Sequence, residues 1–306
     1  MQIQMNRRHL IAPLAACLLL AGLAPITARA SEPIQVTASF SILGDIVRAV
    51  GTERVKVTPL VGPDEDAHVF EPKPADAKTI LQSRLVVMNG LGFEPWMLKL
   101  LKSSGYKGDT LEASKGVKPR TMPAEDGKGL ETDPHAWQDP TNVIVYVQNI
   151  AQALTKLDPA GASLYQKNAA EYTAELKTLD DWAKTQMSSI LREKRKVITS
   201  HDAFGYFAAH YNVTILAPQG VSTETEPSAK EVARLIRQIK HDKIKAVFME
   251  NMSNPKLISQ IAVDTGVTLG PELYVDALSA KGDEGTTYLK LMRHNVTELV
   301  KAMQKN

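Results

Sequence analysis

The chain has 306 residues, 43% hydrophobic and 23% charged, with 36 Lys+Arg against 34 Asp+Glu and a single cysteine. That composition excludes a disordered, collagenous or disulfide-scaffold protein, and the length suits two domains or one bilobal unit at about 100–200 residues per domain. Three of the bases (Arg7, Arg8, Arg29) and none of the acids lie in the first thirty residues, so the remainder is one charge to the negative. Such a chain has no basic stripe for nucleic acid.

Residues 1–30 read as a cleaved export signal: Arg7-Arg8, an uncharged run over 10–26, then Ala28-Arg29-Ala30 as a small-x-small cleavage site. The apolar run is at the short limit for spanning a bilayer and is interrupted by Pro13 and Pro25, which argues against an anchor helix. Leu14-Ala15-Ala16-Cys17 has the form of a lipobox, and Arg7-Arg8 with Leu10-Ile11 that of a twin-arginine signal. Because Cys17 is followed by more apolar residues rather than a polar tether, a soluble periplasmic form beginning at Ser31 is expected ahead of a lipoprotein. Cleavage would remove the only cysteine, leaving core burial alone to hold an exported fold. No later stretch of 18 apolar residues and no G-x-x-x-x-G-K-[ST] occurs, so neither a channel nor an ATP-driven motor is indicated.

In the mature chain, residues 34–40, 55–61 and 85–89 have the β-branched content of strands, separated by helical patterns at 43–50 and 75–82. This alternation predicts α/β with a parallel sheet. After a polar Gly-Pro-Lys-rich stretch over 103–133, helical periodicity returns at 142–157. Asp158-Pro159 then opens a longer helix to about residue 190, with an inward stripe of Leu164, Tyr172, Leu176, Leu179, Ala183, Met187 and Ile190. Roughly 32 residues make a rod of about 48 Å. Strands at 196–200, 213–217, 245–250 and 273–275, and helices at 228–241, 255–265 and 284–303, repeat the alternation without a residue-level repeat. The expected architecture is an N-terminal α/β lobe (31–157), a rigid linking helix (158–192) and a C-terminal α/β lobe (193–306), with no second crossing segment.

In this outline His68 lies in the loop after 55–61, His135 in a loop leading into a helix, His201 directly after strand 196–200, and Asp276 directly after 273–275. Ligands of open α/β sheets bind beyond the carboxyl ends of strands. Two of these residues fall in each half, so all four can face one inter-lobe cleft as a four-coordinate site for a divalent transition metal, most naturally Zn²⁺. The intervals of 67, 66 and 75 residues are not a local zinc-binding spacing, and alone they leave a packing role open for each histidine.

The segments Asp66-Ala67-His68-Val69-Phe70-Glu71-Pro72, Asn89-Gly90-Leu91-Gly92-Phe93-Glu94-Pro95-Trp96, Asp133-Pro134-His135-Ala136-Trp137-Gln138-Asp139-Pro140 and Ser200-His201-Asp202-Ala203-Phe204-Gly205-Tyr206-Phe207 resemble those of the cluster A-I, or ZnuA/TroA-like, metal-binding proteins of ABC importers. Thr225-Glu226-Pro227-Ser228, Val247-Phe248-Met249-Glu250-Asn251 and Tyr274-Val275-Asp276-Ala277-Leu278-Ser279 continue the resemblance over essentially the whole mature chain. It implies metal ligands at His68, His135, His201 and Asp276, two lobes on a long helix, an ABC permease with a separate ATPase as partners, and a monomer loaded in some cases by a periplasmic metallochaperone. Two departures concern the cargo. Residues 112–132 contain no histidine, unlike the His-rich loop of many zinc-uptake members, and His201 stands where manganese-selective members typically have Glu. Three imidazoles and one carboxylate favour Zn²⁺, with Mn²⁺ or Fe²⁺ as the alternative cargo.

Asp202 and Asp139 are candidates for orienting a ligand imidazole or for capping a helix. Glu250 faces either the cleft or solvent, Glu65 and Asp66 form an acidic loop able to draw cations in, and His210, His241 and His294 read as surface or helix-end residues. Trp96 and Trp137 read as packing groups. A closed four-ligand shell suits carriage rather than hydrolysis, and the chain lacks H-E-x-x-H, so an exported zinc hydrolase is disfavoured. A surface adhesin would require retention on the cell.

Overall fold

The computed structural model describes residues 1–2, 32–124 and 128–306. The export signal, with Cys17 and the Ala28-Arg29-Ala30 motif, lies outside the described residues. Residues 33–306 pack as one unit.

Strands β1 (Ile34–Phe40), β2 (Val55–Val61), β3 (Leu85–Met88) and β4 (Asp109–Glu112) form a sheet of order β2-β1-β3-β4 in which every pair is parallel. Near-continuous burial of β1 and β3 is the pattern of strands covered on both faces. The crossings are α1 (Ser41–Gly51), α2 (Pro74–Gln82) and α3 (Pro95–Ser104). The last was not anticipated from periodicity, although Pro95 at its first turn and left-handed Gly105 at its end mark it locally. Nor is 103–133 a plain polar stretch: besides β4 it holds an antiparallel hairpin of β5 (Arg120–Pro123) and β6 (Leu130–Asp133).

Helix α4 (Pro140–Leu157) starts on Asp139, whose side chain accepts the Thr141 N–H. Helix α5 (Ala162–Ser188) is shorter than the expected rod, because Pro159–Gly161 forms a separate 3₁₀ turn; its 27 residues span about 40 Å. Its buried seam runs through Tyr165, Ala169, Tyr172, Leu176, Leu179, Ala183 and Met187. Leu164 is only half-buried, and Tyr165 takes its place in the core.

The second sheet comprises β7 (Lys196–Ile198), β8 (Thr214–Leu216), β9 (Ala246–Val247) and β10 (Thr268–Leu269), also parallel, in the order β10-β9-β7-β8. Residues 273–275 are not a ladder strand; Leu273 makes a single bridge to Glu250. The helices here are α6 (Gly205–Tyr211), α7 (Ala229–Asp242), α8 (Pro255–Thr265) and α9 (Tyr288–Met303). A reciprocal Ser228–Glu231 cap starts α7, and Asn254 caps α8. Numbered within its own half, each sheet has the strand order 2-1-3-4, so a topological repeat exists where no sequence repeat is visible. Helix α5 packs on α1 and α4 of the first lobe and on α6 and α9 of the second. One core runs through both lobes, from Ile34 to Met303, while a smaller one built on Ile198, Leu235, Ile239 and Ile258 lies within the second. Among the described residues no helix is long and apolar enough to cross a membrane.

Candidate metal centre

The loop after β2 carries His68. Its root is fixed by Asp64, which accepts from Asn251 Nδ2 and the Ala280 N–H at 2.8 and 2.9 Å, while the Asp64 N–H donates to the Leu278 carbonyl. Asp66 then turns the chain by accepting the His68 N–H. His135 follows β6, where Asp133 Oδ1 sits 3.0 Å from both the backbone nitrogen and Nδ1 of His135. The carbonyl of Pro134 is held by Asn89 Nδ2. His201 lies just beyond β7, and Glu250 secures it from behind: Oε1 accepts the Ser200 and His201 N–H groups, and Oε2 contacts His201 Nδ1. Asp276 is set by its neighbour Val275, whose carbonyl accepts from Trp137 Nε1 and Gln138 Nε2 across the lobes at 3.0 and 2.9 Å.

These four segments bring His68, His135, His201 and Asp276 together, with one donor atom from each lying within 4.8 Å of the others. His68 Nε2 is 3.2 Å from His135 Nε2 and 3.2 Å from Asp276 Oδ2; His201 Nε2 is 3.0 Å from the same oxygen. The side chains of His135, His201 and Asp276 have no accessible surface, and that of His68 keeps 6%. His201 Nε2 and both Asp276 oxygens are buried and none makes a hydrogen bond of good geometry. Buried polar atoms are normally satisfied, so three orphans converging on one point call for a cation that all of them can bind. Both Nδ1 atoms backed by carboxylates leave Nε2 facing the centre, the arrangement that fixes the tautomer of a metal-binding imidazole.

Electrostatics reflects the same crowding. Burial disfavours charge on His68 and lowers its pKa despite the facing Asp276. Burial acts likewise on His201, but the carboxylates of Glu250 and Asp276 outweigh it and raise its pKa well above 6.5. For Asp276 burial is again the largest influence, overcome by the His201 and His135 rings, so its carboxyl is held well below the usual range. An open cavity of about 520 Å³ leads to His68 past Leu91, Phe93, Glu131, Val221 and Glu224.

Neither Asp139 nor Asp202 orients a ligand ring; Asp133 and Glu250 do. Glu250 faces the site and not solvent, being 1% exposed. Asp133 was missed, although it stands two residues before His135 in an Asp-Pro-His turn where its carboxylate can reach back. Glu65 is used locally, accepting the Gly62 N–H. Trp96 donates to the Ala67 carbonyl, and Trp137 is fully buried. His210 is not a plain surface residue: it sits between Asp180 (2.7 Å) and Asp139 (3.3 Å). His294, with 11% of its side chain accessible, is held by Glu284 and the Glu272 carbonyl, whereas His241 is exposed.

The family described as "Zinc-uptake complex component A periplasmic" matches residues 36–302. The manganese-binding lipoprotein MntA of Halalkalibacterium halodurans is 32% identical over 279 residues, 91% of each chain. The Mn-bound periplasmic metal binding protein of Candidatus Liberibacter asiaticus superposes with a TM-score of 0.79 at 32% identity, covering 88% of this chain and 99% of that one. The periplasmic zinc binding protein TroA of Treponema pallidum does so with a TM-score of 0.83 at 27% identity, over 89% and 99%.

Proposed function

This chain belongs to the zinc-uptake component A family, and on that premise we propose that it carries Zn²⁺, bound by His68, His135, His201 and Asp276. Membership makes it a metal-binding solute-binding protein of an ABC importer, serving a permease and its ATPase rather than catalysing a reaction. The observation that carries the site assignment is the convergence of three Nε2 atoms and one carboxylate on a buried point where Asp276 and His201 are otherwise unsatisfied. Imidazole-rich sets suit Zn²⁺, and tetrahedral N₃O coordination needs no water or further protein ligand. Binding exchanges the waters of the ion for these donors, one lobe supplying His68 and His135 and the other His201 and Asp276. A single chain supplies the full set, which suits a monomer, with lobes at 31–157 and 193–306 on the helix between.

Mn²⁺ is a second reading with its own support: the H. halodurans relative is named for manganese and the Liberibacter structure holds it. Asp276 has two oxygens near the centre, so it can raise the coordination number toward what Mn²⁺ accepts. Fe²⁺ is a lesser variant of the same reading.

The relative from H. halodurans is named a lipoprotein and the two structures periplasmic proteins. The apolar residues after Cys17 therefore give no ground for ranking a lipid anchor below a cleaved soluble form. We propose export with either end; intact mass of the mature protein distinguishes a start at Ser31 from a lipidated Cys17.

Chelator-stripped protein titrated with Zn²⁺ and Mn²⁺ against a chromophoric chelator at neutral pH tests the cargo. One Zn²⁺ per chain, resistant to excess Mn²⁺, is expected. Preferential retention of Mn²⁺ would overturn the zinc assignment and leave the second reading.

A further inference from the structure

Thr223 is 157 residues from Asp66 in sequence, yet its hydroxyl donates to Asp66 Oδ2 at 2.6 Å. The other oxygen of that carboxylate accepts the His68 N–H at 2.8 Å. On the opposite side, Gln219 pairs with His201 through a parallel bridge, and its side-chain amide donates to the Thr223 and Thr225 carbonyls at 3.1 and 3.3 Å. A hydrogen-bonded path thus runs from the backbone of His201 through Gln219, Thr223 and Asp66 to the backbone of His68. It joins a ligand of one lobe to a ligand of the other without touching the donor atoms.

His68 is where such a path has most effect. Asp133 and Glu250 brace the other two rings, but no carboxylate backs His68 Nδ1 among the described residues. Of the four side chains it alone keeps accessible surface, and it lines the 520 Å³ cavity together with Val221, Ser222 and Glu224, the neighbours of Thr223. Apart from the bridge at Gln219, residues 217–227 contain no helix or strand, so no ladder fixes Thr223 in place. The root of the His68 loop has separate anchors at Asp64, and Trp96 holds the Ala67 carbonyl, so losing the Thr223 contact loosens Asp66 and His68 without releasing the loop.

We propose that the Thr223–Asp66 hydrogen bond is an inter-lobe latch that sets how fast the bound metal leaves, by holding the His68 end of its loop against the centre. The proposal rests on the metal-site assignment above, with Thr223 as a positioning residue. A hydrogen bond to a carboxylate is shorter and about twice as strong as a neutral one, and changes in affinity among variants of one site fall mainly on the dissociation rate.

The test is Zn²⁺ release into excess chelator, followed by stopped flow, for the wild-type protein, Thr223→Val and Thr223→Ser. Valine keeps the shape and removes the donor, and serine keeps the donor. Release from Thr223→Val is expected to be about tenfold faster, with association changed less than twofold and serine returning the wild-type rate. In the metal-free protein, deuterium exchange of the peptide containing His68 is expected to accelerate in the valine variant alone. A valine variant that binds one Zn²⁺ and releases it at the wild-type rate overturns the latch while leaving the metal site intact; so does a serine variant as fast as valine. A wild-type protein that binds neither Zn²⁺ nor Mn²⁺ overturns the site assignment and the latch together, which separates the two failures.

Discussion

Single carboxylates behind the imidazoles account for much of the geometry of the site. Glu250 is filled by two backbone N–H groups, the Ser253 hydroxyl and His201 Nδ1, so it has no spare capacity to coordinate the ion and acts by aiming the ring. Asp133 aims His135 in the same way, through Oδ1 alone. Removing such a partner typically costs 10–100-fold in metal affinity, so Glu250→Gln and Asp133→Asn should each weaken Zn²⁺ binding by about that factor, as read by chelator competition. Unchanged affinity in both would refute the orienting role. The carboxylates of Glu250 and Asp276 favour a proton on His201, so metal and proton compete there and affinity should rise with pH. Calorimetry in buffers of different ionisation enthalpy should show proton release at pH 7. Glu94 titrates in the opposite sense for stability. Burial raises its pKa to about 7 against the donors Ser39, Asn89 and Gly90. The folded state therefore binds the proton more tightly than the unfolded one, and its stability falls as pH rises from about 4.5 to about 7, by on the order of 3 kcal/mol. Urea unfolding of metal-free protein at pH 5 and pH 8 should show that loss, and Glu94→Gln should flatten it.

Elements differ in how far their sequences reveal them. Strands β1 and β2 and helix α8 occupy the expected residues because β-branched runs, or a capped and Gly-terminated helical pattern, dominate locally. The hairpin β5–β6 and the two-residue strand β10 are too short for a period to register, and their pairing comes from the lobe around them, whereas β9 falls within the strand expected at 245–250 but keeps only two of its residues in the ladder. The four candidate ligands were legible because each stands at a strand end or in a helix-leading loop, in segments resembling a known family. Glu250 was ambiguous, since the groups that hold its carboxylate in the site, the Ser200 and His201 N–H and the His201 ring, lie about fifty residues away in sequence. Two substitutions separate scaffold from site. Leu176, fully buried in α5, should cost about 2–5 kcal/mol when cut to Ala, with one Zn²⁺ still bound per chain. Gly205 opens α6 where an added Cβ would lie 2.3 Å from Asp133 Oδ2. Gly205→Ala should displace Asp133, and with it His135, weakening metal binding more than it lowers the unfolding midpoint.

At the level of the whole molecule, two lobes with the same strand order present one ligand each from a corresponding place, while His68 follows the second strand of its sheet and His201 the first of its own. His135 and Asp276 each come after the fourth strand of their sheet and before a helix that packs on α5. That arrangement explains why distant residues meet without any local motif: a repeated topology faces its strand ends toward one cleft, and α5 with the shared core fixes the spacing. Metal bound there stabilises the folded state by mass action, by about 2.7 kcal/mol at a free concentration one hundred times Kd, so the unfolding midpoint should climb with added Zn²⁺ in the wild-type protein and not in His135→Ala.

Whether two residues from each lobe form one cation centre is read from X-ray absorption at the zinc edge of the loaded protein, compared with the His68→Ala, His135→Ala and His201→Ala variants. The expected spectrum is that of a four-coordinate ion with three nitrogen donors and one carboxylate oxygen at about 2.0–2.2 Å, one imidazole being lost in each variant. A wild-type spectrum with fewer than three imidazoles, or variants that keep the wild-type spectrum, would contradict it.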